Sequence, residues 1–238
     1  MDYGRENIRD GLFAEIAEEA RRLGILHPHT DAERAESRAR MLAGLEADED
    51  VWIFGYGSLM WNPAFHYLER RPALLHGWHR SFCLWTPLGR GSPETPGLVL
   101  GLDRGGSCCG IAYRIAAQDR EAELALVWQR EMVADGYRPR WARVRCREGQ
   151  TRAIVWVINR DGQRYAGKLP ADAVARTLAT AEGRLGRNRD YLEHTVAHMD
   201  ELGIKEKPLH DILARVRALD GHEGQKGQER QDGQEGER

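Results

Sequence analysis

From Val51 onward the chain breaks into short β-forming apolar runs separated by glycine and proline. No other feature of the 238 residues limits the fold as strongly. The runs at Val51–Tyr56, His76–Trp85, Leu98–Leu102, Cys108–Ile115, Trp141–Arg147 and Arg152–Asn159 have the length and composition of strands. A single helical stretch, from Asp119 to Val133, interrupts them. A doubly wound parallel sheet needs a helix after nearly every strand. This pattern therefore predicts a mixed α+β domain built on a curled sheet or barrel.

Helices flank this region on both sides. Leu12, Phe13, Ile16, Ala20 and Leu23 recur at helical spacing, and Thr30-Asp31-Ala32-Glu33 is a capping-box start for a second helix carrying Met41, Leu42 and Leu45. Residues 1–50 thus read as an N-terminal helical extension that packs on the domain or on a partner. After the strands, Pro170 opens a helix expected to run to about Leu185 and stop at Gly186. Another spans Asn188 to Leu202, and a third begins at Pro208. Residues 221–238 are almost devoid of apolar side chains and are expected to be a disordered polar tail, which leaves 51–220 as the main domain.

Composition excludes several classes of function. A formal net charge of −2 argues against a dedicated nucleic-acid binder, which carries a basic excess to neutralise phosphates. The arginines at 138, 140, 143, 145 and 147 read instead as a solvated strand face. No apolar run reaches membrane-spanning length, and the first residues lack the basic start and apolar stretch of a signal peptide. Cys83, Cys108, Cys109 and Cys146 form neither a disulfide framework nor a metal knuckle, so a cytoplasmic, reducing location is expected. Nothing in the sequence sets an oligomeric state.

Two features carry chemistry. The strand at Val51-Trp52-Ile53-Phe54 runs directly into Gly55-Tyr56-Gly57-Ser58, where two glycines let the backbone turn sharply and expose successive N–H groups to a carboxylate or oxyanion. A dinucleotide fingerprint would need glycine where Met60 stands, and Asn62-Pro63 discourages the helix that such a motif requires. Ser58 lacks the context of a nucleophile elbow. Taken alone, the turn is ordinary loop chemistry. The second feature is Glu131. On a helical wheel it shares one apolar stripe with Leu124, Val127 and Trp128, while Glu121, Glu123, Gln129 and Arg130 lie elsewhere. A carboxylate turned toward the core loses hydration and becomes a stronger base when ionised, although a structural ion pair with an arginine is the other outcome for such a residue.

Together with its surroundings, the turn resembles a known family. Trp52-Ile53-Phe54-Gly55-Tyr56-Gly57-Ser58-Leu59-Met60-Trp61 is similar to the glycine-rich signature of the ChaC-like γ-glutamylcyclotransferases, which degrade glutathione. Gly77-Trp78-His79-Arg80-Ser81-Phe82, Pro96-Gly97, Gly110-Ile111-Ala112-Tyr113-Arg114, Arg130-Glu131, Gly136-Tyr137, and Gly186-Arg187-Asn188 with Tyr191-Leu192 follow in the family's order. The resemblance covers about residues 51–220. It implies a γ-glutamylcyclotransferase-like barrel or curled sheet with flanking helices, and a lyase-type reaction that needs no metal or organic cofactor. Glutathione would be cyclised to 5-oxoproline with release of cysteinylglycine. The resemblance places the catalytic base at Glu131, the substrate cradle at Ile53, Phe54, Gly55, Tyr56, Gly57, Ser58 and Leu59, and a further substrate contact at Tyr191. One departure stands out: the family often has arginine directly after Pro-Gly, where this chain has Leu98.

Other motifs read as structural. His194 and His198 sit one helical turn apart without a third ligand, and Gly105-Gly106-Ser107-Cys108-Cys109-Gly110 reads as a glycine turn leading into a strand. Two alternatives to glutathione degradation remain open at this point. One is cyclisation of other γ-glutamyl amines or dipeptides, and the other is a non-catalytic module that keeps the turn to bind a γ-glutamyl group.

Overall fold

The computed structural model describes residues 4–219. The expected tail at 221–238 lies outside the described residues. Three helices come first: α1 (Arg5–Arg9), α2 (Leu12–Arg22) and α3 (Asp31–Leu42). The capping box at Thr30 forms as the sequence requires, with Thr30 Oγ1 accepting from the Glu33 N–H at 3.2 Å and the Glu33 carboxylate accepting from the Thr30 N–H at 2.7 Å.

The centre is a closed five-stranded barrel of β1 (Val51–Gly55), β2 (Glu69–Thr86), β3 (Gly97–Ile115), β4 (Tyr137–Cys146) and β5 (Gly149–Ile158), in the order β1-β3-β2-β4-β5. Neighbours are antiparallel except at the closing seam, where β1 runs parallel to β5 with Ile53 opposite Ile154. The short helix α4 (Ser58–Trp61) follows β1, and α5 (Arg120–Glu131) separates β3 from β4. The α+β barrel class is as expected, but two strand boundaries are not. Leu98–Leu102 and Cys108–Ile115 are parts of one continuous strand, β3, paired along nearly its whole length with an equally long β2. Gly105 and Gly106, read from the sequence as a turn, lie inside that strand at positive φ and form a bulge opposite Gly77, between His76 and Trp78 of β2. They bend the ribbon without ending it, as barrel closure requires.

The barrel is filled by alternating side chains of its strands, among them Ile53, Leu100, Leu102, Val144, Ile154 and Trp156, all essentially buried. Helix α5 closes one side. Leu124, Val127 and Trp128 face the barrel, and Trp128 meets Trp156 edge-on with ring centroids 5.1 Å apart. Its indole N–H donates to Ser37 Oγ on α3 at 3.2 Å, so the extension is part of the same body.

Beyond β5 come α6 (Ala171–Thr180), the two-residue strands β6 (Glu182–Gly183) and β7 (Gly186–Arg187), α7 (Asn188–Glu201) and α8 (207–219). The helix opened by Pro170 ends at Thr180 and not near Leu185. Ala181 is already extended, and the chain turns back through the β6–β7 pairing of Gly183 with Gly186. No helix among the described residues is long and apolar enough to cross a membrane.

Candidate active site

The turn after β1 is fixed from outside by buried side chains. Arg80 is almost fully buried on β2. Its Nε donates to the Tyr56 carbonyl, one Nη donates to the Cys109 carbonyl at 2.6 Å, and the other pairs with Glu206 just before α8. The Tyr113 hydroxyl lies 3.0 Å from the Leu59 carbonyl and 3.2 Å from that of Met60. The Tyr56 hydroxyl donates to the Trp156 carbonyl across the barrel at 2.9 Å. With its carbonyls held this way, the turn has little freedom to reorganise around a ligand. Ser58 and Leu59 open α4, so their N–H groups have no acceptor within that helix.

Gly57 shows why this turn must lack a side chain. A Cβ there would stand 3.0 Å from the Tyr191 hydroxyl of α7, and only the bare backbone lets the phenol come so near. Tyr191 is itself packed between Phe82 and Trp61, with ring centroids at 6.2 and 6.4 Å.

Glu131 is the last residue of α5, and the helix delivers it to the mouth of the barrel. Its side chain keeps only 13% of its exposure, with the Arg130 Nε at 3.2 Å. Burial pushes its carboxyl above the ordinary range, and the Arg130 charge opposes that shift without cancelling it. Arg130 is anchored in turn by donation to the Asn62 carbonyl at 2.5 Å.

Two cavities meet at this carboxylate. The inner one is small and lined by Tyr56, Gly57, Ser58, Leu59, Leu100, Tyr137, Trp156, Tyr191 and Glu131. The outer one is a solvent-open cleft with walls that include Thr86, Leu88, Arg90, Val99, Val133 and Arg164. Ser58, Glu131, Tyr137 and Tyr191 line both and form the junction. The Tyr137 hydroxyl donates to the Leu100 carbonyl at 2.6 Å; burial, with Tyr191 and Glu131 nearby, holds that phenol well above its usual pKa and therefore neutral.

The expected cradle is accordingly narrower than Ile53–Leu59. Ile53 and Phe54 are fully buried on opposite faces of β1, one on each side of the sheet, and Gly55 packs its backbone against Leu59. Tyr56, Gly57, Ser58 and Leu59 line the cavity, together with Tyr191 and Glu131.

Leu98 is completely buried, its backbone clasped by the Asn188 side chain, which accepts from the Leu98 N–H at 2.6 Å and donates to its carbonyl at 2.8 Å. The cationic groups of the cleft come from elsewhere. Arg90 is buried under the Tyr191 ring, with its guanidinium carbon 5.9 Å from the centroid, and Arg164 sits beside Tyr137. The Arg164 Nε is buried without a hydrogen-bond partner among the described residues. Sequence reading missed both; the only available signal for Arg90 was its glycine-flanked loop.

The remaining motifs stay structural. His194 stacks edge-on with Trp61 at 5.3 Å, and burial pushes the Cys108 thiol up to about 11, which keeps it from acting as a nucleophile. Among the described residues, no group of three or more His, Cys, Asp or Glu could hold a metal ion. The Glu123 carboxylate, expected off the apolar face, is buried after all. It pairs with Arg5 and accepts from the His66 N–H at 2.9 Å, because the N-terminal helices cover a second face of α5.

Comparison with known proteins gives a consistent result. The family model described as ChaC-like protein matches residues 51–219. The glutathione-specific γ-glutamylcyclotransferase of Escherichia coli strain K12 is 40% identical over 188 residues, covering 79% of this chain and 81% of that protein. The human glutathione-specific γ-glutamylcyclotransferase 1 is 30% identical over 165 residues, covering 67% and 74%. A crystal structure of a yeast γ-glutamylcyclotransferase specific to glutathione has the same fold, with a TM-score of 0.67 over 72% of this chain and 97% of that one, at 21% identity.

Proposed function

The chain belongs to the ChaC-like family, and from that premise we propose that it degrades glutathione as a γ-glutamylcyclotransferase, releasing 5-oxoproline and cysteinylglycine. The observation that carries this reading is a dehydrated carboxylate, Glu131, standing where a small inner cavity over the Gly-Tyr-Gly-Ser turn opens into a larger cleft.

The γ-glutamyl end occupies the inner cavity, with its α-carboxylate received by backbone N–H groups of Tyr56–Leu59 and by the Tyr191 hydroxyl. This places the α-amine and its own γ-carbonyl at the junction beside Glu131. Holding the two together supplies much of the rate, since effective molarities for such ring closures reach about 10⁵ M or more. An α-ammonium with a pKa near ~8 is mostly protonated at neutral pH, so Glu131 first accepts its proton. The free amine adds to the γ-carbonyl carbon and forms the five-membered ring. The C–N bond to cysteine then breaks as Glu131 returns the proton to the departing nitrogen, and the ring nitrogen gives up its remaining extra proton to the released amine, leaving a neutral lactam and the ammonium of cysteinylglycine.

The cysteinylglycine portion extends into the outer cleft, which Arg90, Arg130 and Arg164 line; with Arg130 beside Glu131, its terminal carboxylate is received by Arg90 and Arg164. They supply what an arginine after Pro96-Gly97 would otherwise offer. These two cations in the leaving-group cleft favour a tripeptide with a distal carboxylate over a simple γ-glutamyl amine. We assign the protein to the cytoplasm, a reducing compartment that suits its four free thiols.

The test is direct. Purified protein is incubated with glutathione, and 5-oxoproline and cysteinylglycine are followed by mass spectrometry. Equimolar appearance of both supports the proposal. Glutathione bound but left intact would instead identify a binding module. Faster turnover of γ-glutamyl dipeptides would shift the substrate class.

A further inference from the structure

The N-terminal extension supplies part of the cleft wall, although it lies outside the segment matched by the family model. Phe13 and Ile16 of α2, with Leu26 just beyond it, line the outer cleft that also holds Glu131. They are fixed in place. Phe13 and Ile16 belong to an apolar cluster with Leu88 and Leu126, against which Leu26, Val133 and Leu185 pack. Arg184 pairs with Glu15 at 2.7 Å and Glu19 at 3.3 Å, tying α2 to the β6–β7 turn. The His29 N–H donates to the Val133 carbonyl at 2.9 Å, two residues past Glu131, and the His29 ring lies 3.3 Å from the Met132 carbonyl.

Leu100 and Trp156 line the inner cavity and not the outer cleft, so a substrate whose γ-glutamyl end fills the inner cavity, with its reacting carbonyl at the junction, directs its leaving amine toward the outer cleft. The residue carrying that nitrogen then meets Phe13, Ile16, Leu26, Leu88, Val133 and Leu185, none of which offers a side-chain hydrogen bond. We infer that the extension forms the leaving-residue subsite of this enzyme and selects substrates by the side chain of the residue attached to the γ-glutamyl group. This rests on the cyclotransferase reading given above. An uncharged side chain such as cysteine, alanine or valine fits the wall. A lysine there would lose hydration against this apolar wall, in a cleft also lined by Arg90, Arg130 and Arg164.

The experiment compares kcat/KM for 5-oxoproline release from glutathione and from γ-glutamyl-lysyl-glycine and γ-glutamyl-leucyl-glycine. Wild-type protein is expected to favour glutathione over the lysyl peptide by at least a hundredfold. Leu26→Glu, at a half-buried position, is expected to narrow that ratio tenfold or more, chiefly through KM. Leu26→Ala, which only widens the wall, is expected to raise the leucyl peptide relative to glutathione at least threefold, and it keeps the test open should the charged variant fold poorly. Ratios unchanged from wild type in both variants, with glutathione still cyclised, would overturn the subsite assignment alone. Wild-type protein that forms no 5-oxoproline from any of the three peptides would overturn the cyclotransferase reading beneath it.

Discussion

Replacing Glu131 with glutamine keeps the shape and the buried polar atoms of the site while removing the base. The size of the effect depends on which proton transfers the carboxylate performs. If it only neutralised the ground-state amine, the loss at pH 7 would be about tenfold, because roughly a tenth of an ammonium with a pKa near ~8 is already neutral there. That loss would disappear by about pH 9 as solvent hydroxide did the same work. The proposed mechanism gives it a second task. The side chain keeps 13% exposure and stands between the turn and the outer cleft, with Arg130 as its charged neighbour, so water is poorly placed to protonate the departing cysteine nitrogen in its stead. General acid–base catalysis of that kind is worth about 10²–10⁴-fold, or about 3–5 kcal/mol of barrier at ~1.4 kcal/mol per decade. Glu131→Gln is therefore expected to lower kcat by 10²–10⁴ with KM for glutathione within about threefold, and raising the pH to 9 is expected to recover no more than a tenth of the wild-type rate. Stopped-time assays of 5-oxoproline between pH 6 and 9 read both quantities. A variant within threefold of wild type at pH 7 refutes the assignment, and full recovery at pH 9 refutes the second proton transfer.

The same substitution has a stability signature. The folded-state pKa of Glu131 is raised by burial, so between the ordinary carboxylate value and that raised value the native state binds more protons than the unfolded chain, and stability falls as pH climbs through the window. Glu131→Gln should melt like wild type below the ordinary value and above it at pH 8; equal melting at both pH values would mean that burial costs the carboxylate nothing. Gly57→Ala puts a Cβ 3.0 Å from the Tyr191 hydroxyl and is expected to raise KM roughly tenfold by displacing the phenol. Tyr191→Phe added to it should recover part of the loss, and strict additivity of the two effects would rule out that clash as the cause. Arg90→Ala and Arg164→Ala are expected to raise KM for glutathione but not for its C-terminal amide; equal effects on both ligands would remove these arginines from carboxylate recognition. Glu123→Ala leaves Arg5 in a largely buried pair without its anion, which costs about 3 kcal/mol and, at roughly 2–4 °C per kcal/mol in a chain of this size, lowers Tm by about 6–12 °C. A shift under about 2 °C would mean that α1 contributes nothing to the fold.

What the sequence made legible, and what it hid, follows from the range of the forces involved. The Thr30 cap, the stripe of Leu124, Val127, Trp128 and Glu131, and the strand entering the glycine turn are local patterns, readable from residues a few positions apart. The end of the helix opened by Pro170 was misjudged because the β6–β7 hairpin is a two-residue pairing with no hydrophobic period of its own. Gly105-Gly106 reads as a chain reversal in sequence because what makes it a bulge is its pairing with Gly77 of β2, almost thirty residues away. Glu123 lies off the apolar stripe of α5 on a helical wheel, which shows one core-facing stripe. The helix has two, since α1 covers the other. Ile53 and Phe54 show the converse error, in which a continuous motif was given a continuous role. The strand half of that motif is core, and the residues after Gly55 meet the cavity.

The division within that motif also explains how a small barrel holds a reactive arrangement rigid. Ile53 and Phe54 anchor the turn in the densest part of the core, while Arg80 and Tyr113 fix its carbonyls from two different strands. Glu131 arrives from the opposite direction, at the end of a helix locked by Trp128 against Trp156, and the residues just after it are tied to His29 of the extension. Neither the turn nor the carboxylate can relax toward the other without breaking buried contacts, so the charge on Glu131 stays poorly solvated. In the proposed mechanism, a base held in this way keeps its strength because its surroundings cannot reorganise to stabilise it, so stability at this one position is exchanged for proton-transfer power.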